Sequence, residues 1–225
     1  PQGAAAGPPA DLSEGNLLAT NDSADYGQSL GTMGVKTGKW YAEYYINDAG
    51  FPSWLLGWTY SSRSEVYAGS NDAGVAYLCT FGYFTGNWLY LSPFGSQDVT
   101  AVNPTYSSWT SSGTAPAQGD IIMSAMDFDA GKAWYGMNGE WGDVGAGTGN
   151  PATAANPSLT WTAATYAAYA KSPMQLNYQG GIALNAGQDP TFFANITAGG
   201  NADDTGYGNF KYDVPAGFLS LCAGN

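Results

Sequence analysis

The chain contains no histidine. That removes the commonest general base, the commonest metal ligand and the Ser–His or Cys–His pair of many nucleophilic enzymes. Positive charge is scarce too: 6 Lys and Arg stand against 18 Asp and Glu, a net charge of −12. A nucleic acid or an anionic membrane surface would be repelled, and no basic run counters this. The acidity serves solubility. There are two cysteines, Cys79 and Cys222, too few for a disulfide scaffold and without zinc spacing. No apolar run approaches the ~18 residues that a membrane span needs.

What is abundant points to β structure. Among 225 residues there are 32 Gly, 12 Pro, 8 Trp, 16 Tyr and 9 Phe. Many turn formers, many aromatics and few charges favour short strands joined by built loops. The hydrophobic share of 44% is ample for a core. Residues 1–10, "PQGAAAGPPA", have nothing to bury. Residues 1–14 are expected to be an arm or linker, ordered only by contact with another chain. The chain begins at Pro1 rather than Met, which leaves open a removed leader or a longer parent polypeptide.

Strand patterns follow. "GNLLAT" (15–20) is a first candidate. In "GKWYAEYYIND" (38–48), Trp40, Ala42, Tyr44 and Ile46 alternate with Tyr41, Glu43, Tyr45 and Asn47, which predicts a half-buried strand. "SWLLGWTY" (53–60) is apolar nearly throughout, as for a strand covered on both faces. Further strands are expected over 74–84, 87–92, 120–129, 132–138, 174–179, 181–187 and 192–196, with a last one at the C-terminus. Residues 163–170 read equally as a short helix or a strand. Asn138-Gly139 is a strong hairpin signal, because a type I′ turn needs positive φ at both central residues. A dozen short strands with regular turns predict an all-β, two-sheet antiparallel sandwich spanning 15–225.

The central stretch "GDIIMSAMDFDAGKAWYGMNGEW" resembles the signature of SPRY domains, with Gly119, Asp120, Ile121, Ile122, Ala125, Asp127, Asp129, Asn138 and Gly139 in place. "MS" at 123–124 departs from it where a Gly is usual. "TGKWYAEYYI", "LLGWT", "GIALNAGQDPTF" and "VPAGFLSLCAGN" are similar to other SPRY strands, in the right order. The resemblance implies a concanavalin-like jelly-roll sandwich. "GNLLAT", the "GNPATAANPSLTW" loop and the ending look like SPRY domains in structural proteins of tailed bacteriophages. That likeness implies a non-enzymatic virion protein, of the tail, a fibre or the capsid, in assembly or surface recognition. The implied partners are other virion proteins in a multi-copy or homo-oligomeric assembly, and a host surface glycan or protein. It would be assembled in host cytoplasm and be extracellular in the particle, with further chain after Asn225. The alternative is a peptide- or carbohydrate-binding SPRY module of a larger cellular or secreted protein.

No catalytic, metal or cofactor site is expected. Asp127 and Asp129 share a strand face, a spacing compatible with calcium, but they flank a turn and turn capping alone accounts for both. Asp203 and Asp204 read the same way. Glu43 and Glu65 could form a glycosidase pair only if they met. Cys79 and Cys222 read as free thiols, a bridge being the alternative. Binding is expected on the loops 60–73, 93–119 and 142–161. These contain or border Arg63, Tyr67, Tyr106, Trp109, Trp141 and Trp161, residue types that often carry interface energy. The bland alternative is that these aromatics cover the ends of the sandwich.

Overall fold

One long strand organises the molecule. The computed structural model describes residues 10–48, 53–60, 77–84, 87–91, 117–142 and 149–225. β1 (Asp11–Ser13) leads through a 3-10 turn at Glu14–Asn16 into β2 (Leu18–Leu30). β3 (Lys39–Asp48), β4 (Ser53–Tyr60), β5 (Tyr77–Phe84), β6 (Asn87–Leu91), β7 (Ile121–Asp127) and β8 (Lys132–Met137) follow. β9 (Glu140–Trp141), β10 (Leu159–Thr160), a single helical turn α1 (Ala163–Tyr166), β11 (Lys171–Asn185) and β12 (Leu219–Ser220) complete the described elements.

β11 belongs to two layers. Its first half pairs with β4 over Lys171–Asn177, and its second half pairs with β3 over Gly181–Asn185. β2 runs alongside both halves. The switch falls at Gln179 and Gly180, with φ of 49° and 158°. A glycine there removes the Cβ that would resist the bend. One layer is thus β6-β5-β4-β11, and the other is β11-β3-β7-β8-β10. Among the described residues, the strand pairings are antiparallel except β12 with β3. The two strands expected at 174–179 and 181–187 are therefore one strand with a bend.

The layers meet through Ala42, Tyr44 and Ile46 of β3, Ile122 and Met126 of β7 and Ala133 and Tyr135 of β8, facing Trp54, Leu56 and Trp58 of β4. Polar contacts also cross the gap. The Tyr44 hydroxyl donates to the Gly57 carbonyl at 2.8 Å, and Trp58 Nε1 donates to Ser124 Oγ at 3.3 Å. Buried Tyr and Trp keep their polar atoms paired in this way while their rings fill the core.

Two expectations change on the other face of β3. Tyr41 to Ile46 are all buried, so the strand is covered on both sides rather than half-buried. The cover is the C-terminal segment after Asn185: Phe210 and Phe218 pack with Tyr41, Met123 and Trp134, and Phe192 packs with Tyr45 and Ile121. The stretch 192–196 is not a strand. Phe192, Phe193 and Ala194 have φ of 47°, 64° and 64°, a left-handed turn. The Asp189 carboxylate holds it, accepting from the Thr191 and Phe193 amides at 2.9 and 2.7 Å. Those bonds, with Phe192 stacked on Tyr45 at 5.3 Å, outweigh the apolar run that favours a strand.

At the start of the chain, Asp11–Ser13 pair with Leu18–Thr20 and Ala10 is buried. These residues join the sheet within their own chain, inside the stretch read as an arm. Residues 1–9 lie outside the described residues. The ambiguous segment 163–170 forms one helical turn at its start.

Candidate functional site

Glu43 sits on β3 facing the C-terminal cover and is 0% exposed. Its Oε1 accepts from the Tyr212 amide at 2.8 Å and the Tyr41 hydroxyl at 3.0 Å. Its Oε2 accepts from the Lys211 amide at 3.0 Å and Asn185 Nδ2 at 3.5 Å. Asn185 also donates to the Asn209 carbonyl and accepts from the Gly187 and Asp189 amides. Burial pushes the Glu43 carboxyl above the usual carboxylate range, against the lowering by the Lys211 and Tyr212 amides. Burial, then the Glu43 charge, pushes the Tyr41 phenol up as well. The carboxylate is a clasp for two backbone amides that would otherwise be orphaned under the cover. Glu65, its hypothetical partner, lies outside the described residues.

Asp203 is a second hub. Its Oδ1 accepts from the Thr205 amide at 2.9 Å, the Thr205 hydroxyl at 2.5 Å and the Tyr207 amide at 3.1 Å. Its Oδ2 accepts from the Ser220 amide and hydroxyl and from Asn225 Nδ2 at 2.7–2.8 Å. Burial raises this carboxyl, but the bonds from Thr205, Ser220 and Asn225 outweigh it and hold the group well below the ordinary range. Asp204 accepts from the Gly217 amide at 2.6 Å. Asp127 accepts from the Ala130 amide at 2.8 Å, and Asp129 accepts from Gly38 at 3.1 Å. All four aspartates therefore act as turn and loop acceptors. Among the described residues no group of three or more such side chains is arranged to hold a metal. Cys222 is a free, half-buried thiol.

Of the expected binding residues, Trp141 and Trp161 are described. Trp141 lies edge-on to Tyr41 at 6.2 Å between ring centres, under the C-terminal cover. Trp161 packs on the inter-layer core, 6.2 Å from Phe128, and its amide donates to the Gly131 carbonyl. The structure does not bring these two together. Arg63, Tyr67, Tyr106 and Trp109 lie outside the described residues.

The sequence reading missed a concentration of lysines at one end of the sandwich. Lys39 opens β3, Lys132 opens β8 and both flank Asp127 through the strand register. Lys171 opens β11, is buried, donates to the Lys36 carbonyl and lies 4.8 Å from the Phe128 ring centre. Lys39 pairs with Asp127 at 3.5 Å. Lys36 and Lys132 have no ion pair among the described residues. Met33 and Tyr169 flank this corner in the chain and are 40% and 51% exposed. The signal was available in the hairpin: Asp127 and Lys132 bracket the turn at one end, while Asp120 and Glu140 mark the other.

No family model matches the chain, and no curated protein matches it. Among solved structures it is similar to the SPRY domain of human HERC1, at 19% identity and a TM-score of 0.47. The match covers 78% of this chain and 91% of that one. The two-layer arrangement stands on the pairings and packing described above.

Proposed function

We propose that this chain is a non-enzymatic SPRY-like module of a phage virion, serving assembly or surface recognition. One observation carries the reading. Glu43 and Asp203, the most elaborately bonded carboxylates of the described residues, are committed to holding the C-terminal segment against the sheet. Groups used in this way build a rigid frame, and a rigid frame suits a module that presents loops to other molecules. The virion part of the reading is supported by the likeness of "GNLLAT", the "GNPATAANPSLTW" loop and the C-terminal ending to SPRY domains of tailed-phage structural proteins.

Quantitative mass spectrometry of gradient-purified particles tests this directly. Peptides from residues 117–142 should be present in fixed, repeated stoichiometry. Their absence from intact particles would remove the virion role. For the recognition role, the purified chain is added to cells before the particles. A fall in adsorption supports recognition, and unchanged adsorption restricts the module to assembly.

A further inference from the structure

We propose that copies of this chain associate head to tail, the lysine end of one against the acidic end of the next. This rests on the reading of the domain as a multi-copy assembly module. β3 runs from Lys39 to Asp48, and β8 runs from Lys132 to Met137, just before Glu140. β3 and the β8–β9 hairpin therefore carry positive charge at one end and negative charge at the other. The first end gathers Lys36, Lys39, Lys132 and Lys171, four of the six basic residues of the chain. Among the described residues, the carboxylates there are engaged locally, Asp127 with Lys39 and the Ala130 amide and Asp129 with the Gly38 amide. Lys36 is exposed and Lys132 half-buried. Met33 and Tyr169 add apolar surface of the kind that anchors interfaces.

The far end gathers Asp48, Asp120 and Glu140. Ile46 donates its amide to the Asp120 carbonyl, and Asn138 Nδ2 donates to Asp120 Oδ1 at 2.8 Å. The Tyr212 ring lies against Gly139, where an added Cβ would meet it at 3.0 Å. Asp48 and Glu140 are exposed. Two-fold pairing through either end would set like charge on like. Stacking along the strand direction sets opposite charges together, a heterologous contact that repeats. The net charge of −12 opposes any self-contact, so the association is weak and depends on complementarity at short range.

Sedimentation velocity on the purified chain over a wide concentration range tests the contact. The parent chain should form species larger than a monomer. Lys36→Glu with Lys132→Glu should weaken this by about tenfold or more, and so should Glu140→Lys with Asp48→Lys. All four substitutions together invert both ends and should restore association. A parent chain that stays monomeric at every concentration overturns the proposal. So do double variants that associate like the parent, or a quadruple variant that stays as weak as the doubles. Particle stoichiometry is measured separately, so a chain present in virions but monomeric in solution defeats this contact while leaving the virion role standing.

Discussion

Gly139 and Glu43 show two ways in which one residue governs the fold. Asn138 and Gly139 have φ of 53° and 90°, as the hairpin sequence requires, and a Cβ at Gly139 would press on the Tyr212 ring. Gly139→Val should cost more than ~1 kcal/mol, read as a lower denaturation midpoint. An unchanged midpoint would show that the turn tolerates β-branching and that the motif carries no constraint. Glu43 is different because its environment consists only of donors. Glu43→Gln turns an amide NH₂ toward one pair of those donors and should cost about 2–4 kcal/mol. The two carboxylate hubs also respond oppositely to pH. Asp203 is held low, so its contribution is present above its unfolded pKa and is lost as pH falls toward its folded value. Glu43 is held high, so its contribution is present below its unfolded pKa and is lost as pH rises through the folded one. Denaturation curves taken against pH should show Asp203→Asn flattening the acid side and Glu43→Gln removing a decline toward neutral pH. Parallel curves for both variants would contradict this assignment of signs.

Elements were legible in the sequence where local chemistry agreed with their surroundings. The hairpin around 120–141 has alternating apolar positions and turn residues at both bends, and it folds as the pattern says. β4 reads as covered on both faces and Trp54 to Thr59 are buried. β3 misled because Glu43, Tyr41 and Tyr45 look like a solvent face, and only a distant segment buries them. "GG" at 180–181 looks like a turn, yet neighbours on both sides hold the chain extended through it. "FFANI" has strand composition, but the signal that decides it lies upstream in Asp189 and Thr191, whose bonds wind the chain left-handed. Ala194, exposed with φ of 64°, bears part of that conformational cost. Ala194→Gly should therefore stabilise the chain by about 0.5–1 kcal/mol, measured as a raised denaturation midpoint. A loss of stability instead would mean that the methyl group makes a contact worth more than the relief of φ.

For the molecule as a whole, composition and turn spacing were enough to predict an all-β sandwich. They could not disclose how charge is laid out, because the lysine end forms only when the beginnings of β3, β8 and β11 meet in space. With a net charge of −12 on the whole chain, moderate salt should raise the melting temperature by screening self-repulsion. A melting temperature that falls with added salt would show that the pairs at the lysine end contribute more than that repulsion costs. The bent β11 carries a different consequence. Because it is hydrogen-bonded into both layers, neither layer can open alone without tearing the other. Its amides should be among the slowest in the chain to exchange with deuterated water, and both halves should exchange at one rate, that of global unfolding. The sandwich would then behave as a single cooperative unit despite its two sheets, closer to a folded ribbon seamed along one thread than to two plates pressed together.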